Sequence, residues 1–310
     1  MLCARFALSG RGCAVDKSVD EGAGEGTGED VDERVDGARP TTRLRLGVAY
    51  DGADFSGWAL QPGLRTVAAE VIRGLELLFG ELRDFTVAGR TDAGVHATGQ
   101  VVHVDVPTAK WEDLRERLLW RLRGILPPDV RVTAAEAVDP SFNARFAAHW
   151  RRYRYRVADA TYGVNPLRRL DTLAHPRPLD VERMHAACQR LLGEHDFVGF
   201  CKQREGATTI RELQQYDWTR DEDGVAVATV RADAFCHSMV RSLVGAALAV
   251  GDGRRDEDWL ASILQLGERA NDVHVVGPHG LTLLEVDYSE DSEDWKTRID
   301  LTRRVRTLGN

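Results

Sequence analysis

An aspartate lies between two glycines, and two residues after an arginine, in AGRTDAGVHA at residues 88–97. The segment follows the apolar run FTV and precedes the alternating run GQVVHVDV, so we predict a tight turn between two strands. A carboxylate held at such a turn can act as a nucleophile, a base or a metal ligand. The alternative is an ordinary surface turn, in which Asp92 accepts backbone N–H bonds and Arg90 points to solvent.

The neighbouring side chains do not predict a metal site. His96 and His103 are seven residues apart across a glycine turn, and no second carboxylate stands at ligand spacing. His103 alternates with Val102 and Val104, which is typical of a structural residue on one face of a strand. The five cysteines form no C-x-x-C pair, so we expect reduced thiols rather than a disulfide framework or a zinc site.

Most of the net charge of −8 lies in one N-terminal segment, and the rest of the chain is nearly neutral. Residues 20–37 hold eight acids and one arginine, which leaves about −1 for the rest of the chain. We predict that residues 1–40 form a disordered acidic extension. Basic clusters elsewhere, RRYRYR at 151–156 above all, predict a local surface that contacts phosphates. The candidate RNA-binding residues are Arg151, Arg152 and Arg154.

No apolar run approaches the roughly 18 residues that a membrane span needs. The N-terminal segment MLCARFALSGRGCAV is too short and too interrupted for a signal peptide. We therefore expect a cytoplasmic protein without a membrane partner.

Hydrophobic periodicity predicts an α+β fold with a mainly antiparallel sheet and a central cleft. The predicted strands are 42–52, 84–88, 99–106, 130–138, 150–157, 209–220, 224–232 and 280–289, and the predicted helices are 66–80, 111–124, 180–193 and 237–251. The same alternation of strands and helices occurs twice. We therefore divide the folded part into an N-terminal half, 41–147, which contains the Asp92 turn, and a C-terminal half, 148–288. A charged C-terminal tail, 289–310, follows.

Several segments together resemble the tRNA pseudouridine synthase A family. They are YDGADFSGW (50–58), AGRTDAGVHATGQVVH (88–103), FNARFAAHWRRYRYRV (142–157), GEHDFVGF (193–200), ADAFCHSMVRSLVGAALAVGDG (232–253) and HGLTLLEVDY (279–288). Their order matches that of the family and they cover nearly the whole predicted body. The resemblance implies the pseudouridine synthase fold, with two ferredoxin-like or RRM-like halves.

The resemblance also implies roles for single residues. Asp92 matches the essential aspartate, which attacks the target nucleotide at ribose C1′ or at uracil C6. Tyr153 matches the residue that stacks on the base and helps in proton transfer, and Arg241 matches the arginine that pairs with the aspartate. Arg90 matches a residue that helps to expose the target base, and Leu281 matches an apolar residue of the uracil pocket.

Judged from residue type alone, Tyr153 and Leu281 are ordinary core residues, and Arg90 and Arg241 are ordinary surface residues. Arg241 nevertheless falls at the edge of the apolar stripe of its predicted helix, from which it can reach a cleft. Two positions depart from the family pattern, Ala59 after the tryptophan of GW and Asp233 in place of an asparagine. Both departures leave the predicted nucleophile unchanged.

The implied activity is the isomerisation of uridine to pseudouridine at positions 38 to 40 of the tRNA anticodon stem-loop. The resemblance implies a homodimer, with tRNA as substrate and without metal or redox cofactor. A non-catalytic RNA-binding protein of the same fold is the alternative, and a hydrolase that uses Asp92 is a second. Binding to phosphates gives no reason for a carboxylate in the motif, and no general base or metal for a hydrolase is evident.

Overall fold

The computed structural model of this protein describes residues 40–202 and 208–303. These residues form an α+β body on a mainly antiparallel sheet, which confirms the predicted fold class. The predicted disordered extension lies outside the described residues except for Pro40. The boundary predicted between residues 147 and 148 remains a prediction, and the described residues from 40 onward cluster as one compact unit.

The described residues contain ten strands in a single sheet. They are β1 (Thr41–Tyr50), β2 (Arg83–Val87), β3 (His96–Pro107), β4 (Val130–Val138), β5 (Arg151–Ala158), β6 (Leu173–Ala174), β7 (Gly193–Asp196), β8 (Ile210–Arg220), β9 (Ala226–Ala232) and β10 (Leu281–Val286). The order along the sheet is β4-β1-β3-β10-β5-β9-β8-β7, with β2 paired to β3 and β6 paired to β5. The pairs β3–β10 and β5–β6 are parallel.

Seven α-helices accompany the sheet in the same part of the chain. They are α1 (Val67–Phe79), α2 (Thr108–Leu114), α3 (Leu118–Ile125), α4 (Val181–Gln189), α5 (Met239–Gly251), α6 (Glu257–Ser262) and α7 (Ser292–Arg303). The predicted start of α1 is confirmed, because the Thr66 hydroxyl accepts a hydrogen bond from the Ala69 N–H. Among residues 40–202 and 208–303, no helix is long and apolar enough to cross a membrane.

Three predicted segments differ from the structure. The helix predicted at 111–124 is two helices, α2 and α3, which are separated by a turn at residues 115–117. The helix predicted at 180–193 ends at Gln189, and residues 193–196 form the short strand β7. The predicted charged tail contains α7, because Trp295 packs on the Phe142 ring with centroids 5.0 Å apart. Ile299 packs on the core beside Trp295, and Arg298 and Thr302 donate to backbone carbonyls of residues 146–149, so apolar and polar contacts together hold this helix.

The two halves of the chain meet where β10 lies between β3 and β5. Thr282 and Leu283 pair in parallel with His96 and Ala97 of β3. On the other edge of β10, Leu283 pairs with Tyr153 of β5. Because β3 begins directly after the Asp92 turn, this pairing sets the turn beside the second half of the chain.

The structure pairs two of the cysteines, contrary to the prediction of reduced thiols. Cys201 and Cys236 form a disulfide with their Cα atoms 5.8 Å apart, whereas Cys188 is free and buried. The two partners are 35 residues apart in sequence, and only the fold brings them together. Spacing alone does not reveal such a pair.

Helix α5 packs so closely that one of its glycines has no room for a side chain. A Cβ atom on Gly245 would lie 1.8 Å from the carbonyl oxygen of His274. Gly124, in α3, has no heavy atom within 4 Å of the position of its missing Cβ. Replacing each of these two helical glycines by alanine therefore separates the effect of close packing on stability from the effect of helix propensity.

We expect Gly245→Ala to destabilise the protein by about 1–3 kcal/mol or more, because backbone must move to admit the methyl group. Gly124→Ala is the matched control and should stabilise the protein by up to about 1 kcal/mol through helix propensity. Denaturant unfolding of the two variants measures both changes. Equal effects of the two substitutions would contradict the close approach of α5 to residue 274.

Candidate active site

Backbone contacts hold the turn that carries Asp92. The Trp58 N–H donates to the Thr91 carbonyl at 3.1 Å, and the Gly94 N–H donates to the Phe55 carbonyl at 3.3 Å. The Tyr50 and Thr91 hydroxyls are 2.8 Å apart and share a hydrogen bond. Gly94 adopts a φ of 78°, a conformation that favours glycine. These contacts make residues 88–95 a fixed turn rather than a mobile loop.

Arg241 contacts the carboxylate of Asp92 from the other half of the chain. Its Nη1 lies 3.4 Å from Asp92 Oδ2, and its Nε donates to the Val276 carbonyl at 2.8 Å. The side chain of Asp92 is 34% exposed and that of Arg241 is 19% exposed. The structure therefore brings together the two residues that the resemblance pairs, and leaves the carboxylate accessible from solvent.

A histidine that the sequence analysis did not single out contacts the second carboxylate oxygen. His237 Nε2 lies 3.5 Å from Asp92 Oδ1. His237 lies in the turn before α5, which begins at Met239, so it approaches Asp92 from outside the helix that carries Arg241. Local periodicity gives no signal for this contact.

Tyr153 lies in β5 with its ring buried. The ring of Phe235 meets it edge to face, with centroids 5.1 Å apart. Burial raises the pKa of the Tyr153 phenol, and the charges of Tyr50 and Asp92 act in the same direction while Arg151 opposes them. Tyr153 is therefore a neutral phenol at physiological pH and is close enough to Asp92 to sense its charge.

The other two residues of the predicted pocket differ in exposure. Leu281 is buried and pairs with Tyr155, two residues along β5 from Tyr153. It faces the same side of the sheet as Tyr153, because side chains alternate along a strand. Arg90 is exposed and lies two residues before Asp92 in the same turn. The roles of these two residues remain predictions.

The structure contradicts a phosphate-binding role for Arg151. Its buried guanidinium donates to three backbone carbonyls, those of Ala88 at 3.0 Å, Arg145 at 2.7 Å and Asp233 at 2.7 Å. Ala88 begins the Asp92 turn, and Asp233 leads into the segment that carries Phe235. Arg151 thus holds the two chain segments that form the site.

Arg152 and Arg154 lie on the face of the sheet opposite Tyr153. The alternation of β5 places buried residues at 151, 153 and 155 and partly exposed ones at 152 and 154. Arg152 pairs with Glu285 and lies over the Trp150 ring, as does Arg231 of β9. The predicted basic surface is therefore separate from the Asp92 pocket, and its binding of RNA remains a prediction.

His96 and His103 bind backbone groups. The Nδ1 atom of His96 accepts from the Gly52 N–H at 3.0 Å, and its Nε2 lies 2.8 Å from the Leu170 carbonyl oxygen. The Nδ1 atom of His103 accepts from the Ala144 N–H at 3.0 Å. Within the described residues, no group of three His, Cys, Asp or Glu side chains is arranged to hold a metal ion.

One position at which the sequence departs from the family pattern has a structural role. The carboxylate of Asp233 accepts from the N–H groups of Glu212 and Ala234 at 3.0 and 2.7 Å. It therefore fixes the end of β9 to β8 through backbone contacts. The structure gives no comparable account of Ala59.

Comparison with known proteins identifies similar chains. A family described as tRNA pseudouridine synthase matches residues 187–289. The chain is 56% identical over 270 residues to tRNA pseudouridine synthase A of Streptomyces avermitilis, which covers 86% of this chain and 94% of the relative. The proteins of the same name from Frankia casuarinae and Mycobacterium leprae are 53% and 47% identical, covering 85% and 86% of this chain and 95% and 96% of the relatives.

Arg151→Met should destabilise the protein by about 3–5 kcal/mol, because three buried carbonyls lose their donor. Arg152→Met, the adjacent control, removes a partly exposed ion pair and should cost no more than about 1 kcal/mol. Urea unfolding of both variants measures the difference. Similar small losses would show that the Arg151 guanidinium does not hold these carbonyls.

Proposed function

Because this chain belongs to the tRNA pseudouridine synthase A family and isomerises uridine to pseudouridine in tRNA, we propose that the reaction takes place at Asp92. The observation that carries this proposal is the partly exposed Asp92 carboxylate, contacted by Arg241 and close to the buried phenol of Tyr153. One side of the pocket is ionic and the other is aromatic. This arrangement suits a planar uracil beside a carboxylate.

The reaction is an isomerisation, so its atoms and protons must balance. The N1–C1′ bond breaks, a C5–C1′ bond forms, C5 loses a proton and N1 gains one. Asp92 supplies the nucleophile, either at C1′ or at C6. No oxidant or reductant is consumed in either route.

The neighbours of Asp92 have separate tasks in this proposal. Arg241 orients the carboxylate through Nη1 while its Nε is anchored on the Val276 carbonyl. The Tyr153 ring, braced by Phe235, holds the detached base by stacking while it turns. Leu281 adds apolar surface on the same face of the sheet. The exposed Arg90 helps to hold the target nucleotide out of its stack, because the reacting atoms are inaccessible within a stem.

The target, assembly and location follow from the family resemblance. We assign the target to positions 38 to 40 of the anticodon stem-loop and the active form to a homodimer, in which symmetry supplies two equivalent pockets. Because its substrate is tRNA, we place the enzyme in the cytoplasm. Sedimentation of the active enzyme tests the assembly, and mapping of pseudouridine in modified tRNA tests the position.

Asp92→Asn should abolish pseudouridine formation while tRNA binding stays close to that of the wild type, because the carboxylate is a reactant and not a phosphate ligand. Carbodiimide labelling of tRNA measures the product, and filter binding measures affinity. Substantial turnover by Asp92→Asn would contradict the nucleophile. Wild-type protein that binds tRNA without forming product would instead favour the non-catalytic alternative.

The arginines on the opposite face give a separate prediction. Replacing Arg152 and Arg154 together by glutamine should weaken tRNA binding and flatten its dependence on salt, because phosphate contacts release counterions. The control replaces Arg73 and Arg83, two exposed arginines paired with Glu70 and Glu81, and should change both quantities less. Equal effects of the two double substitutions would remove Arg152 and Arg154 as an RNA-binding surface.

A further inference from the structure

A buried glutamine connects several groups behind the Asp92 turn. Gln100 lies in β3 and is fully buried. Its Nε2 donates to the Gly89 carbonyl at 2.8 Å and to the Tyr50 hydroxyl at 3.3 Å, and its Oε1 accepts from the Val101 N–H at 3.2 Å. Both ends of the amide are therefore used, and the side chain joins the start of the turn to β1.

The directions of these hydrogen bonds follow from the two backbone groups. A carbonyl can only accept and a backbone N–H can only donate, so the Gln100 amide has one possible orientation. Its nitrogen donates to the Tyr50 oxygen, which leaves the Tyr50 hydrogen for the Thr91 hydroxyl, 2.8 Å away. Donation therefore runs from Gln100 through Tyr50 to Thr91, the residue directly before Asp92.

Tyr50 keeps its proton and its place in this chain of hydrogen bonds. Burial raises the pKa of the Tyr50 phenol to about 12, and the hydrogen bonds with Thr91 and Gln100 oppose that rise. The phenol is thus protonated across the physiological range and remains a donor. Its ring packs on that of Trp58, with centroids 5.8 Å apart, so apolar contact also holds the side chain.

The contacts of the Asp92 carboxylate itself are long. Its oxygens lie 3.4 Å from Arg241 Nη1 and 3.5 Å from His237 Nε2, whereas strong charge-assisted hydrogen bonds between nitrogen and a carboxylate measure about 2.7–2.9 Å. These contacts alone do not hold the carboxylate in one position. A nucleophile must be held in position, because a displacement of about 1 Å can lower a rate by about 100-fold.

The peptide unit between Thr91 and Asp92 provides the rigid support. The Thr91 carbonyl accepts from the Trp58 N–H at 3.1 Å, while the Thr91 side chain is bound to Tyr50. Gly57 approaches the same peptide so closely that a Cβ atom on it would lie 3.0 Å from the Thr91 carbonyl oxygen. Because a peptide unit is planar, holding it in this orientation also sets the point from which the Asp92 side chain extends.

We propose that Gln100 and Tyr50 are positioning residues of the isomerisation, which act through Thr91 to hold the Asp92 carboxylate in place for attack on the nucleotide. Both side chains are buried and act from behind the turn. This inference rests on the proposed function of Asp92. It gives a part in the reaction to two residues that neither the family resemblance nor the sequence analysis assigned. Breaking the chain should therefore slow the chemical step and leave the affinity for tRNA unchanged.

The test measures single-turnover rates of pseudouridine formation at saturating enzyme, together with the Kd for tRNA in filter binding. Tyr50→Phe and Thr91→Val each remove one hydroxyl from the chain and keep the shape of the side chain. We expect each substitution to lower the rate by about 10- to 100-fold, while the Kd stays close to that of the wild type. The double variant should be no slower than the slower single variant, because both substitutions break the same chain.

Two further variants separate positioning from a general loss of stability. Thr91→Ser keeps the hydroxyl and should keep most of the wild-type rate. Tyr288→Phe is the matched control, because the Tyr288 hydroxyl donates to the Ala144 carbonyl at 2.7 Å, outside the Asp92 turn. It should lower the midpoint of urea unfolding, as Tyr50→Phe does, and leave the single-turnover rate unchanged.

The outcomes distinguish this inference from the function on which it rests. A wild-type rate in Tyr50→Phe would overturn the positioning role. So would rate losses in the two single variants that multiply in the double variant, because independent effects do not form one chain. Wild-type protein without activity, or an active Asp92→Asn variant, would refute the proposed function instead.

Discussion

The parallel pairing of β10 with β3 is the constraint on which the site depends. It sets the end of the Asp92 turn beside Leu283, which pairs in turn with Tyr153 on β5. Asp92 and Arg241 are 149 residues apart in sequence and meet because this strand joins the two halves of the sheet. A shift of β10 by one residue would reverse its faces and remove Leu281 and Leu283 from the core.

Arg151 provides a second tie across the same boundary. Its three carbonyl contacts join the start of the Asp92 turn, the segment before β5 and the end of β9. The cost of burying a guanidinium is offset only when its N–H groups have acceptors. The same carbonyls would otherwise be buried without donors, so the arginine and the irregular segments that it connects stabilise one another.

The pocket combines two environments that act on protons in opposite ways. Burial on the Tyr153 side favours a neutral phenol, while Arg241 and His237 on the other side surround an accessible carboxylate with groups that carry or accept positive charge. Stacking and nucleophilic attack need these different surroundings at once. The fold supplies them by building one wall from a strand and the other from α5 and the turn that precedes it.

The amino-acid sequence by itself determined most of the helices and strands, because hydrophobic periodicity and caps such as Thr66 are local signals. The ordered motifs indicated the family and the residues Asp92, Tyr153 and Arg241. Only the tertiary structure decided that Arg151 is buried, that Cys201 meets Cys236 and that His237 reaches Asp92. Each of these depends on contacts between segments far apart in the chain, and local periodicity carries no information about which distant segments will pack together.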